Sequence, residues 1–68
     1  MRDVSIRGDT IRLGQVLKLA GLAASGGEAR ALIEQGAVRV NGEVATRRGR
    51  QLRRGDVVAL GTQAVRVA

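Results

Sequence analysis

The stretch SGGEARALIEQGAVRVNG, residues 25–42, predicts a capped helix, a short strand and a tight turn in direct succession. Ser25 is a good helix N-cap, and Glu28 three residues later predicts a capping box, in which each side chain accepts a hydrogen bond from the other residue's backbone N–H. A helix over residues 26–35 places its apolar side chains on one face, namely Ala29, Leu32 and Ile33. Gly36 should end the helix, because glycine readily adopts the left-handed conformation found at helix ends.

After this helix the spacing of the apolar residues changes from helical to alternating. Val38 and Val40 alternate with polar neighbours and lead into Asn41-Gly42. Asn-Gly between alternating apolar flanks is the strongest short-range indication of a β-hairpin, and Val44 continues the returning strand. Two further strands are predicted near the end of the chain, from DVVAL at residues 56–60 and AVRVA at residues 64–68.

The segment before residue 25 predicts a strand and a first helix. Residues 3–7 alternate apolar and polar side chains, and a turn is expected at residues 8–9. Thr10 can cap a helix over residues 11–20, which Gly21 should end. The apolar residues of this helix follow helical spacing: Leu13, Val16, Leu17 and Ala20.

The length and the order of these elements predict one small α+β domain. The chain has 68 residues, which is enough for a single domain over residues 1–68 but not for a deep catalytic cleft. The order of a strand, two helices and several strands predicts a compact α+β domain. No apolar run approaches the ~20 residues of a membrane span, and the absence of cysteine fits a reducing cytoplasm, so we expect a cytoplasmic protein.

The charge of the chain favours an anionic partner. Twelve basic residues face six acidic ones, for a net charge of +6. A bias of this size favours nucleic acid first and an anionic membrane second, although part of it could be an ordinary solvated surface. Because the chain has no Phe, Tyr or Trp, RNA-binding sheets and grooves that stack bases on aromatic rings are disfavoured.

The residue types needed for catalysis are missing or scattered. The chain has no histidine and no cysteine, which are the usual bases, nucleophiles and metal ligands. Its carboxylates fall where surface or helix caps are expected, and the serines have no histidine base. We therefore expect a protein that is not an enzyme and has no metal or cofactor.

The double glycine at Gly26-Gly27 has two interpretations. In the first, the glycines only belong to a capped helix start with small residues packed tightly under the preceding loop. In the second, a helix start without side chains exposes N–H groups and the positive end of the helix dipole to an anion. Arg30, one turn into the helix, could hold the same phosphate, or could form an exposed ion pair with Glu34.

The segment RRGRQLRR, residues 47–54, is predicted to be an arginine-rich loop. It has five arginines in eight residues, and Leu52 is expected to hold it against the core. Guanidinium groups bind phosphate through two parallel hydrogen bonds and can stack on bases, which partly offsets the missing aromatic residues. The alternative is a solvated turn. Arg39 could face the same side or the opposite one.

Residues 11–60 resemble the S4 RNA-binding domain, which is named for ribosomal protein S4 and also occurs in pseudouridine synthases and tyrosyl-tRNA synthetases. The matching motifs are RL at residues 12–13, the pattern S…A..LI..GAVRVNG from residue 25 to residue 42, and GDVV at residues 55–58. The likeness is greatest to small stand-alone bacterial S4-like proteins. It implies the αL motif, in which two helices pack on a small, strongly bent, mostly antiparallel sheet.

The resemblance also implies an RNA-facing surface made by the helix pair and the loop after the hairpin. Carried over by position, its residues are Arg12, Lys18, Ser25, Gly26, Gly27, Arg30, Arg47, Arg48 and Arg50. Two positions depart from the family pattern. Gly14 stands where many members have Asp, and Gly26 stands where many have a basic residue. The second change replaces a basic side chain by bare backbone.

These observations predict a monomeric, non-catalytic module that binds structured RNA through its phosphates. Ribosomal RNA and tRNA are the natural candidates because the relatives just named act on them, and the ribosome is a possible partner. The alternative from another class is a protein-interaction module whose basic face docks an acidic partner protein. Membrane binding is disfavoured, because the first helix needs its apolar face for the core.

Overall fold

The computed structural model describes every residue, Met1–Ala68, and contains two helices and seven short strands. In chain order these are β1 (Arg2–Val4), β2 (Thr10–Arg12), α1 (Leu13–Leu19), α2 (Gly26–Glu34), β3 (Val38–Val40), β4 (Glu43–Val44), β5 (Gln51–Arg53), β6 (Val57–Leu60) and β7 (Gln63–Val67). The predicted α+β class is therefore confirmed.

Five strands form one mixed sheet in the order β1-β7-β6-β3-β4, in which only β1 and β7 are parallel. The hairpin predicted at Asn41-Gly42 is present, and Val40 pairs with Glu43 across it. Both turn residues have positive φ, 52° for Asn41 and 86° for Gly42, as a two-residue hairpin with the twist of the sheet requires. The hairpin therefore fixes the register of β3 and β4.

The second helix begins and ends as its sequence predicts, within one residue. Ser25 is the N-cap, and its Oγ accepts a hydrogen bond from the Glu28 N–H at 3.1 Å. The reciprocal bond of the predicted capping box, from the Ser25 N–H to the Glu28 carboxylate, is not formed. Gly36 follows the helix with φ 75°, the left-handed value expected there.

The first helix begins later than predicted, and the expected Thr10 cap is wrong. Thr10 lies in strand β2, which pairs with β5 in a separate two-stranded sheet, so helix α1 starts only at Leu13. The residue before the helix, Arg12, makes no side-chain cap. Pairing with β5, about forty residues away in the sequence, determines this conformation, and the local pattern of apolar and polar residues does not indicate it. Gly21 does follow the helix end, with φ 74°.

The core consists of sixteen buried residues, all of them apolar. Both helices and the inner face of the five-stranded sheet contribute to it, and α1 adds Leu13, Val16 and Leu17. Leu52 is fully buried, as predicted, whereas Leu32 is only partly buried at its edge. Neither helix has the length and apolar character needed to cross a membrane.

Candidate nucleic-acid interface

The arginine-rich segment is a turn fixed against the start of helix α1. The Arg50 N–H donates to the Arg47 carbonyl at 3.2 Å, which closes a turn over residues 47–50, here called the arginine turn. The first two N–H groups of α1, from Leu13 and Gly14, donate to the Arg50 and Arg48 carbonyls at 2.9 and 3.1 Å. These bonds satisfy helix N–H groups that would otherwise lack partners, and they hold the backbone of the arginine turn in place.

The prediction that the whole segment 47–54 is a loop is wrong for its second half. Gln51–Arg53 form strand β5, in which Leu52 points into the core. The strand directs the arginines on its two sides to different places. Arg54 lies beyond it and donates to the Ile6 carbonyl at 3.0 Å, away from the arginine turn. Of the five arginines, therefore, only the three in the turn remain beside α1 and α2.

A cavity of about 290 Å³, here called the smaller cavity, lies between both helices and the arginine turn. It brings together five of the residues singled out in the sequence: Arg12, Lys18, Gly26, Arg30 and Arg48. Four of them are cations, and no acidic residue lines the cavity. Like charges in a shared concave site raise the local potential, so the smaller cavity attracts an anion.

A second cavity of about 660 Å³, here called the larger cavity, adjoins the smaller one. It is lined by residues 46–51 and by Arg30, Ile33 and Glu34, and therefore includes Arg47 and Arg50. The two cavities share Arg30, Arg48 and Gly49. Together they form one continuous basic surface on a single side of the protein.

Arg30 lies between the two cavities and is already engaged through one edge. Its Nε donates to Glu34 Oε1 at 2.6 Å, and both side chains are more than half exposed. This is the ion pair that the spacing predicts. A guanidinium has five N–H donors in a planar fork, so Arg30 can hold Glu34 and still bind a phosphate through its Nη groups.

The double glycine lies at the edge of this surface, and neither glycine is tightly packed, although the helix start is capped as the first interpretation expects. A Cβ on Gly26 would meet no atom within 4 Å, and one on Gly27 would meet only Ser25 Oγ, at 3.9 Å. The N–H groups of these two glycines donate to no other group of the protein. Gly26 lines the smaller cavity, whereas Ser25 and Gly27 line neither cavity, and the Ser25 hydroxyl caps the helix.

Several residues that line this surface were not assigned to it from the sequence. Gly14, Gln15 and Gly49 line the smaller cavity, while Thr46, Gln51 and Glu34 line the larger one. Helical spacing could have indicated Gln15, because it lies three residues before Lys18. Arg39 does not belong to the surface: its Nη1 donates to the Gly42 carbonyl at 3.3 Å, and it lines neither cavity.

A polar cluster holds the far end of the arginine-rich segment to the hairpin. The Arg53 N–H donates to Asp56 Oδ2 at 2.8 Å, and Asn41 Nδ2 donates to Asp56 Oδ1 at 3.0 Å. These two hydrogen bonds lower the pKa of Asp56 below its ordinary value, with help from the nearby charges of Arg50 and Arg53 and against an opposing effect of burial. Asn41 also accepts from the Val57 N–H at 2.9 Å, so the cluster joins the hairpin, the end of β5 and the start of β6.

The fold and this surface define a small α+β domain with its cations gathered beside a helix pair. Comparison with protein families identifies the class: the model of the S4 domain matches residues 4–68, and the chain belongs to that family. The resemblance seen in the sequence is therefore confirmed.

Two individual proteins illustrate the relationship. The chain is 47% identical over 57 residues to a Bacillus subtilis (strain 168) protein named "Probable ribosome maturation protein RlbA", a match covering 84% of this chain and 80% of that protein. It also superposes on the solution structure of YbcJ from E. coli with a TM-score of 0.76 and 32% identity, over 100% of this chain and 87% of the other. The YbcJ structure is described as revealing an αL motif involved in RNA-binding.

Proposed function

We propose that this protein binds structured RNA by holding phosphates of its backbone on the surface formed by the two cavities. The observation that carries the proposal is the smaller cavity, where Arg12, Lys18, Arg30 and Arg48 converge with no acidic residue among them. Arginine binds phosphate through paired, charge-assisted hydrogen bonds, and several such groups in one cavity suit a chain of phosphates. The description of YbcJ as an RNA-binding αL protein supports the same function.

The double glycine contributes bare backbone to this proposed site. Gly26 and Gly27 offer two unpartnered N–H groups at the positive end of the α2 dipole, beside the smaller cavity. Because neither position has a side chain, a phosphate can approach these groups closely. Ser25 acts indirectly by capping the helix and fixing the direction of the two N–H groups.

Ribosomal RNA is the RNA that we favour, ahead of tRNA. The support is the name of the Bacillus relative, which connects that protein with ribosome maturation. Such a role needs no catalysis: a monomeric module in the cytoplasm would recognise the shape of an RNA backbone and stabilise it. Phosphate contacts position a protein on a helix without reading its sequence, and duplex RNA hides its base edges in a deep groove.

Replacing Arg48 tests the proposal, because Arg48 lines both cavities. Arg48→Ala keeps the backbone carbonyl that accepts from Gly14 and removes only the guanidinium, so the unfolding free energy should change by no more than ~0.5 kcal/mol. Filter binding to a ribosomal RNA fragment should weaken roughly tenfold, or ~1.4 kcal/mol. Arg7→Ala is the matched control, since it removes the same charge from an exposed position outside both cavities.

An equal effect of the two substitutions would mean that net charge, and not this surface, governs binding.

The alternative function, docking of an acidic partner protein, is distinguished from RNA binding by pull-down from cell extract with and without ribonuclease. Under the proposed function, proteins captured through bound RNA are lost when the RNA is digested. Partners that survive digestion and depend on Arg48 would favour the docking module.

A further inference from the structure

We propose that the larger cavity holds an unpaired guanine base of the bound RNA, and that Glu34 accepts a hydrogen bond from its exocyclic amino group. The inference rests on the proposed function and adds to it. Phosphate contacts alone would make binding indifferent to sequence, whereas this cavity would make the protein prefer one nucleotide next to a helical segment.

The two cavities differ in a way that phosphate binding does not explain. The smaller cavity is lined by cations and small or polar residues, with no carboxylate. The larger one contains Glu34, the only acidic residue in the lining of either cavity. A carboxylate repels phosphate but is a good acceptor for the amino groups of bases. The larger cavity therefore suits a base better than a second phosphate.

The geometry of Glu34 leaves it able to accept further hydrogen bonds. Its Oε1 accepts from Arg30 Nε at 2.6 Å, which fixes the direction of the carboxylate. An ionised carboxylate has about four acceptor positions, so most remain free after this bond. Glu34 is also more than half exposed, and hence accessible to a ligand entering the cavity.

Guanine fits the mixture of charges around the larger cavity. It presents two acceptors, O6 and N7, that arginine binds with paired hydrogen bonds, and Arg47, Arg48 and Arg50 lie along this cavity. On another edge it presents the N2 amino group, a donor suited to Glu34. The guanidinium planes provide surfaces for the ring, as Arg stacking does for unpaired bases.

The position of the two cavities also suits a nucleotide that leaves a helix. They adjoin at Arg30, Arg48 and Gly49, and no atom lies within 4 Å of where a Gly49 Cβ would be. A phosphate in the smaller cavity and the base of a neighbouring nucleotide in the larger one would thus be connected across Gly49, where no side chain obstructs the RNA. The volume of about 660 Å³ is ample for one base.

The test compares short RNA stems that carry one unpaired nucleotide: guanosine, inosine, adenosine or uridine. Guanosine and inosine differ only in the N2 amino group, so their ratio of dissociation constants isolates the proposed hydrogen bond. Wild-type protein should bind the guanosine stem roughly tenfold tighter than the inosine stem. In Glu34→Ala this ratio should fall to about one, while in the control Glu28→Ala, on the same helix but outside both cavities, it should persist.

Two results would overturn the inference while leaving the proposed function intact. One is salt-dependent binding to all four stems with no preference for guanosine over inosine. The other is Glu34→Ala binding every stem more tightly by the same factor, which would make Glu34 only a repulsive charge. If no stem were bound in a salt-dependent way, the proposed function itself would fail, and this inference with it.

Discussion

At the scale of single residues, Gly26 and Gly27 are the positions whose identity folding explains least. Their φ angles are not positive, and a Cβ at either position would have no contact shorter than 3.9 Å. Alanine is the better helix former, so nothing within the protein favours glycine over it. What the glycines leave exposed is a pair of N–H groups beside the smaller cavity. This explanation depends on a ligand and can be tested with one.

Replacing either glycine by alanine should separate binding from stability. We expect Gly26→Ala and Gly27→Ala to keep or slightly raise the unfolding free energy, by up to ~1 kcal/mol, because alanine loses less backbone entropy on folding. Both should weaken RNA binding, since the added methyl group stands where a phosphate would approach the N–H groups. Thermal unfolding and filter binding measure the two effects.

Gly8→Ala is the control for these substitutions, because Gly8 also has a conformation open to alanine but lies in a loop outside both cavities. RNA binding of Gly8→Ala should equal that of wild type. If alanine at residues 26 and 27 also left RNA affinity unchanged, the double glycine would belong to the helix cap alone.

At the scale of helices and strands, local patterns predicted what local interactions determine. The second helix, its two ends and the Asn41-Gly42 hairpin follow from caps, spacing and turn residues within a few positions of one another. The failures are β2 and β5, which pair with each other across forty residues. Strand formation there depends on a distant partner, so Thr10 could be read equally well as a helix cap.

The polar cluster around Asp56 should make the stability of this region depend on pH. The folded-state pKa of Asp56 lies below its ordinary value of 3.8. The stabilisation is therefore fully present above about pH 4 and is lost as the pH falls through the lower, folded-state pKa. Asp56→Ala removes the acceptor for Arg53 and Asn41, and should cost ~1–2 kcal/mol of unfolding free energy at neutral pH.

Urea unfolding at several pH values checks this expectation. The difference in unfolding free energy between wild type and Asp56→Ala should be constant near neutrality and shrink in acid. Glu43→Ala, which removes an exposed carboxylate that receives no hydrogen bond, is the control and should change the unfolding free energy little at neutral pH. A constant gap down to the most acidic conditions would show that the Asp56 charge does not contribute.

At the scale of the whole molecule, the sequence established the sign of the charge but not its distribution. All nine residues assigned to the RNA-facing surface are exposed, and seven line one or the other cavity. Which arginines gather there depends on where β5 begins, because that strand leaves Arg47, Arg48 and Arg50 beside the helices and carries Arg54 away. Arginines that are neighbours in the sequence are thus separated in the structure by the pairing of β5 with β2, which the sequence pattern does not reveal.

This division sets the expected salt dependence of RNA binding. Six cations line the two cavities, namely Arg12, Lys18, Arg30, Arg47, Arg48 and Arg50, and the backbone measures only 26 × 20 × 18 Å, so the protein can cover few phosphates. If all six meet phosphates of a duplex, the logarithm of the association constant should fall with the logarithm of salt concentration with a slope of about −5, and of about −4 if only the four cations of the smaller cavity do so and the larger cavity holds a base. The remaining basic residues lie elsewhere and should add little to it.

Filter binding at increasing salt concentrations measures this slope, and two variants show where it originates. Arg48→Ala should make it shallower by about one, because one released counterion is lost with one phosphate contact. Arg7→Ala should leave it unchanged although the net charge falls equally. Affinity that stays flat between low and moderate salt would contradict phosphate binding altogether. If both variants reduced the salt slope equally, RNA binding would depend on the total charge of the protein and not on the surface formed by the two cavities. Only a localised surface can distinguish Arg48 from Arg7, because the two arginines carry the same charge and differ only in position.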